Sequence, residues 1–268
     1  MQPEVTIIIP NYKTAELTKL CLRSLRLHTD LDRIRIIVID NNSADESLEY
    51  LKQIPYITLV ERDTAGENGP QMHKRALELG VQMTTTPYVL VFHTDTIVLD
   101  DNWLDFLLEK IKDDPRAAAT GSDKMEIVPK LKQFFQKIET RIRKLLGRKI
   151  RQYPPYPRTH CALYRTDAVR ECGGFDVPDT AGYQLYLEMN ARNYRTVLID
   201  AREMSRYICH LNHATMIINP VINSRRTSKP KARRRLKRDW SALHPEAILA
   251  DDSLDKLPAE KGEKTKNA

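Results

Sequence analysis

At 268 residues and 41% hydrophobic content, the chain can bury one large core and has the composition of an ordinary globular protein. No run approaches the roughly 20 apolar residues that span a bilayer. The opening Met1-Gln-Pro-Glu-Val5 lacks the basic and apolar regions of a signal peptide, so a cytoplasmic protein is expected. The formal charge of +7 is concentrated in Lys130–Arg151 and Arg225–Arg238, which suggests an anionic partner. An anionic membrane surface and nucleic acid both fit, and a merely solvated face is the plain alternative. Cys21, Cys161, Cys172 and Cys209 are scattered without zinc-type spacing and read as buried free thiols.

Val5–Ile9 is a β-branched run stopped by Pro10 and Asn11, the pattern of a buried strand. From Thr14, a suitable N-cap, apolar Leu17, Leu20, Cys21 and Leu25 recur at helical spacing. A second strand, Arg35–Ile39, runs into Asp40-Asn41-Asn42-Ser43, where Ser43 and Glu46 form a capping box for the next helix. Strand Ile57–Glu61, helix Met72–Met83 and strand Tyr88–Phe92 repeat the alternation, and Trp103–Ile111 is a further helix. Lys130–Ile150 combines an apolar face, including Leu131, Phe134, Ile138 and Leu145, with a basic one. Tyr153–Pro157 forces an extended loop, followed by strand His160–Tyr164, helix Thr180–Arg192 and strand Thr196–Ile199.

This order predicts an α/β fold: a Rossmann-like, mostly parallel sheet flanked by helices. One domain over residues 1–222, with a basic helical insertion at 130–151, is expected to precede a basic C-terminal extension over 223–268 that is partly disordered.

Groups at strand C-terminal ends of such a sheet face the ligand crevice. Asn11, Tyr12, Asp40 and Asn42 follow the first two strands, and His93-Thr94-Asp95 follows the fourth. A carboxylate and amides suit a nucleoside, Tyr12 suits stacking, and Asp95 suits a metal on a diphosphate. Asp40 and Asp95 also have ordinary readings as a helix cap and a turn residue.

Val5-Thr-Ile-Ile-Ile-Pro-Asn-Tyr12, Ile37-Val-Ile-Asp-Asn-Asn-Ser43, Tyr88–Thr96 and Gly173-Gly-Phe-Asp176 occur in the order seen in family 2 glycosyltransferases, and the chain resembles that family. The resemblance covers about Val5 to Thr215. It implies the GT-A fold and hexosyl transfer, with inversion, from a nucleotide-diphospho-sugar to a hydroxyl of a glycan or lipid-linked acceptor, as in polysaccharide assembly. It also implies nucleotide contacts at Pro10, Asn11, Tyr12 and Asp40, extended here to Asn42, Thr94 and the sugar loop at Asn68, and a divalent metal on Asp95.

Two departures stand out. His93 replaces the first Asp of the family's Asp-x-Asp motif, which suits Mn2+ better than Mg2+. The Glu-Asp pair that normally supplies the base is replaced by Ala181 and Gly182, which leaves Asp179 as catalytic base or as helix cap. Tyr207–Thr215 resembles the segment closing the family's site, with His210 or His213 as a further metal or diphosphate ligand. A degenerate domain that binds a nucleotide or glycan without turnover is the alternative. Nucleic acid ranks last, because the basic runs lack interleaved aromatics.

Overall fold

The protein is described by a computed structural model that covers residues 2–125, 145, 153–178, 180–219, 222 and 230–258. The predicted helix over 130–150, apart from Leu145, and Asp179 lie outside the described residues.

The strands are β1 (Val5–Asn11), β2 (Ile34–Asp40), β3 (Ile57–Glu61), β4 (Tyr88–Phe92), β5 (Thr96–Val98), β6 (Ala117–Ser122), β7 (Cys161–Arg165), β8 (Arg195–Ile199) and β9 (Ile208–His210). The helices of the first half are α1 (Ala15–His28), α2 (Glu46–Leu51), α3 (Gly69–Met83) and α4 (Trp103–Glu109). Those of the second are α5 (Thr166–Glu171), α6 (Ala181–Ala191), α7 (Ala201–Met204), α8 (Ala214–Ile218), α9 (Pro230–Leu243) and α10 (Glu246–Ala250).

A seven-stranded sheet runs in the order β3-β2-β1-β4-β7-β6-β8. The strands β1 to β4 are mutually parallel where they pair, β7 is antiparallel to both neighbours, and β8 is parallel to β6. The period-2 alternation of a strand sends Ile7 and Ile9 to one face, with α1 and α4, and Ile8 to the other, with α3, α5 and α6. Both faces are buried, as a parallel sheet requires. Helix α3 lies close on β1 at Gly80, where an added Cβ would stand 2.5 Å from the Ile8 side chain.

Three local expectations are corrected. Thr14 precedes α1 but makes no cap bond, since its hydroxyl turns to Asn11 and Thr94. Helix α2 is capped by Asp45, which accepts from the Ser47 amide, while Ser43 bonds Asp40 instead. Helix α3 begins at Gly69, because Asn68 and Gln71 form a capping box upstream of the first apolar position.

Within the expected C-terminal extension, residues 230–258 are folded onto the domain. Leu236, Trp240, Leu243, Ile248 and Leu249 pack on the α1 side of the core, and Leu254 is buried. A fully buried arginine of α1, Arg23, holds this segment. Its guanidinium pairs with Asp255 through Nε (2.9 Å) and Nη2 (2.5 Å), and Nη2 also meets Asp252 at 2.5 Å. Nη1 donates to the carbonyls of Ile248 and Leu249. Tyr50 donates to Asp255 and Tyr56 to the Leu254 carbonyl, fixing the same turn. Among the described residues no helix is long and apolar enough to cross a membrane.

Candidate functional site

The ends of β1 and β2 meet as predicted, but largely satisfy each other. The buried Asn11 amide donates to Asp40 (2.7 Å) and Ser47 (2.9 Å), and its oxygen accepts from Thr18 (2.7 Å). Asp40, also buried, accepts from the Ser43 amide (2.9 Å) and hydroxyl (2.5 Å). Such a network aligns two strand ends rigidly, because every buried polar group finds a partner.

The more accessible groups here are Tyr12, half-buried with the Lys13 ammonium 5.7 Å from its ring centre, and Asn42, exposed at the left-handed φ of 59°. Pro10 is half-buried in β1, and Thr94 is buried against Thr14. Asn68 caps α3, and its neighbour Glu67 is gripped by Arg62 (2.9 Å) and Arg75 (2.8 Å), which holds Glu67 below the usual carboxylate range despite its burial.

At the end of β4, His93, Asp95 and His210 form a compact cluster, with one ligand atom from each lying within 4.8 Å of the others. Strand pairing builds it: Thr96 of β5 opposes His210 of β9, and the Leu211 amide donates to the Asp95 carbonyl at 2.8 Å. This register places His210 Nε2 3.3 Å from Asp95 Oδ1, with His93 Nδ1 at 3.9 Å. The register brings His210 to the acid, whereas His213 occupies the turn before α8 at φ 67°, close enough to His93 to lower its pKa.

Asp95 is 3% exposed, yet its Oδ1 has no hydrogen-bond partner, and His210 Nδ1 lacks one as well. Burial opposes ionisation of Asp95, but the adjacent imidazoles, His210 foremost, hold its pKa below the usual range. Burial and the neighbouring imidazoles push His93 down to about 3, which leaves a nitrogen lone pair at neutral pH. A buried, ionised, unpartnered carboxylate oxygen facing imidazole nitrogens fits a divalent cation, and the mixed N/O donor set favours a transition ion over Mg2+.

Sequence reasoning missed the groups that orient this cluster. The His160 ring stacks on His210 with centres 4.5 Å apart, and its Nε2 meets Ser122 Oγ at 3.1 Å. The His160 carbonyl accepts from the His93 amide and the Thr96 hydroxyl, so it ties down the backbone on both sides of Asp95. Thr159 meets His93 Nε2 at 3.2 Å and lies against Gly182 at the start of α6. Beyond it the rings of Tyr153, Tyr183 and Tyr186 surround the buried Tyr156, a signal visible in sequence only as tyrosines in two separate segments.

His160 predicts a pH dependence. Burial, then its histidine neighbours, push its pKa well below the ordinary value, so the native state binds fewer protons than the unfolded chain. Its contribution to stability is therefore present above the unfolded pKa of ~6.5 and is lost as pH falls. In metal-free protein we expect unfolding free energy to fall between pH 7 and pH 5, by up to about 1.4 kcal/mol per pH unit for this residue. His160→Gln should flatten that slope in urea titrations, and an unchanged slope would assign it to other groups.

The fold is that of the GT-A nucleotide-diphospho-sugar transferases, with the polar ends of the parallel strands β1, β2 and β4 on one edge of the sheet. The family model for glycosyl transferase family 2 matches residues 6–173, and the chain belongs to that family. It is thus a glycosyltransferase of the nucleotide-sugar class. Among solved structures it is similar to the mannosyltransferase PcManGT from Pyrobaculum calidifontis, in complex with GDP-Man and Mn2+, at 19% identity and a TM-score of 0.54 over 93% of this chain and 70% of that one. Residues 1–349 of S. aureus TarS are similar at 13% identity and a TM-score of 0.52, again over 93% of this chain and 70% of the other. No curated protein sequence matches the chain.

Proposed function

We propose that the protein transfers a hexose, with inversion, from a nucleoside diphosphate donor to a hydroxyl of a glycan or lipid-linked acceptor, with a divalent cation held by His93, Asp95 and His210. The observation that supports this most is the buried Asp95 oxygen, without a hydrogen-bond partner and facing imidazoles, at a strand end of the family's fold. A cation held there supplies positive charge that stabilises the departing diphosphate. Tyr12 and Asn42 flank the place of the base, while the Asn11–Asp40 network keeps the strand ends in line. The tyrosines beside α6 offer aromatic faces to the acceptor, next to Thr159 and His93.

Asp179, two residues before α6 in sequence, is the proposed base, accepting the proton as the acceptor oxygen attacks the anomeric carbon. A second reading, donor binding without turnover, is favoured by one observation: the first turn of α6 begins with the buried, non-acidic Ala181 and Gly182. Asp179→Asn separates the two readings. We expect it to keep the thermal shift produced by the correct nucleotide sugar with Mn2+ while losing transfer on the order of 100-fold or more, as for a general base. Wild-type turnover in that variant would remove Asp179 from the chemistry. Binding without any turnover in the wild type, across a panel of nucleotide sugars and saccharide acceptors, would support the second reading.

A further inference from the structure

Away from the metal-type cluster, a groove of about 490 Å3 runs between the first turn of α1, α8 and α9. Leu17 and Ile217 are buried in its wall, Leu236 and Trp240 are half-buried, and Ile218 stands 45% exposed. Arg233 and Lys237 of α9 line it and are exposed, against a single acid, Glu16. Lys231, Arg234 and Arg238, at i, i+3 and i+7, add an adjoining exposed basic stripe, in which Arg238 pairs with the Asp239 carboxylate at 2.8 Å. Arg235 turns the other way and donates to the Asn212 carbonyl.

The groove lies close to the functional crevice. Thr14, just before α1, bonds Thr94, which also meets Thr215 of α8, so α1 and α8 both leave the strand-end cluster as groove walls.

We infer that this groove and stripe dock the protein on an anionic lipid bilayer, with lipid phosphates against Arg233 and Lys237 and acyl surface against Ile218. A cationic arc bordering the exposed Ile218 suits a bilayer interface, and each basic group near a negative surface adds to the attraction. Nucleic acid fits less well: single strands need aromatic platforms along a basic groove, whereas the one aromatic of α9, Trp240, is half-buried against the core. The inference does not depend on sugar transfer and is tested without a donor.

The test is sedimentation with phosphatidylcholine vesicles, with and without phosphatidylglycerol, at several salt concentrations. Pelleting is expected only with phosphatidylglycerol and should weaken as salt rises. Arg233→Gln with Lys237→Gln should lower partitioning on the order of 30-fold, at roughly fivefold per charge. Ile218→Ser should lower it several-fold, whereas Lys52→Gln with Lys112→Gln, far along the chain from α9, should leave it unchanged. All variants are checked for wild-type melting. Equal pelleting with neutral vesicles, no pelleting, or an equal loss in the distant pair overturns the proposal. So does tighter binding of a single-stranded oligonucleotide that the Arg233 and Lys237 changes abolish, which would make the surface a nucleic-acid one.

Discussion

With the proposed cation site, Mn2+ is expected to raise the melting temperature of the wild-type protein, and Asp95→Asn to abolish that rise and to lower the stability of the metal-free form. The first effect follows from linkage: a cation at a hundred times its dissociation constant adds about 2.7 kcal/mol to the folded state, and the variant forfeits nearly all of it. The second follows from the imidazoles beside Asp95, His210 foremost, which favour the carboxylate despite its burial and hold its pKa below the usual range. A neutral isostere forfeits that attraction at neutral pH, so the metal-free variant should melt lower. Differential scanning calorimetry with and without Mn2+ reads both. A retained Mn2+ shift would remove Asp95 from the metal site, and an unchanged melting point in the absence of metal would show that the imidazoles do not stabilise its charge.

Arg23→Leu should cost about 3 kcal/mol and free the C-terminal segment. The guanidinium is fully buried, and its partners are the carboxylates of Asp252 and Asp255 and two main-chain carbonyls. Deleting one side of a buried pair leaves the other uncompensated, and such changes cost about 3–5 kcal/mol; Asp252, largely exposed, regains water and places the expectation at the low end. Limited proteolysis should cut the variant within 246–258 before the sheet domain. Asp255→Leu in the Arg23→Leu background should cost less than it does alone, because the two residues are coupled. Urea denaturation showing a loss under about 1 kcal/mol would mean that the clamp adds little to stability.

Strands β1 to β4 were legible because each is a β-branched or apolar run ended by polar residues, a strong period signal. Strand β6, Ala-Ala-Ala-Thr-Gly-Ser, carries almost no strand propensity and forms because burial between β7 and β8 decides it. Strands β5 and β9, three residues each, are too short for any periodic signal.

The same limits apply at the crevice. Asp95 and His93 stand out as polar residues closing an apolar strand, but the choice of His210 over His213 depends on the register with Thr96, which no local pattern encodes. His160 reads locally as a strand residue, and its stacking on His210 is purely tertiary. Arg23, on a helix, looks like a solvent-facing cation until the turn at Asp252–Asp255 is brought over it. Asn11 and Asp40 lie at paired strand ends as their sequence pattern suggests, but that their bonding capacity goes to each other and to Thr18, Ser43 and Ser47 is visible only in three dimensions.

The pairing of β5 with β9 also orders events as the chain emerges during synthesis. His93 and Asp95 come out early with the parallel half of the sheet, whereas His210 arrives only after β8 and α7. A nascent chain that has not reached Ile208 therefore presents two ligands, a weak chelate open to water. The proposed cation site is complete only once β9 pairs with β5, and a cation held there would tie the late strand to the early one.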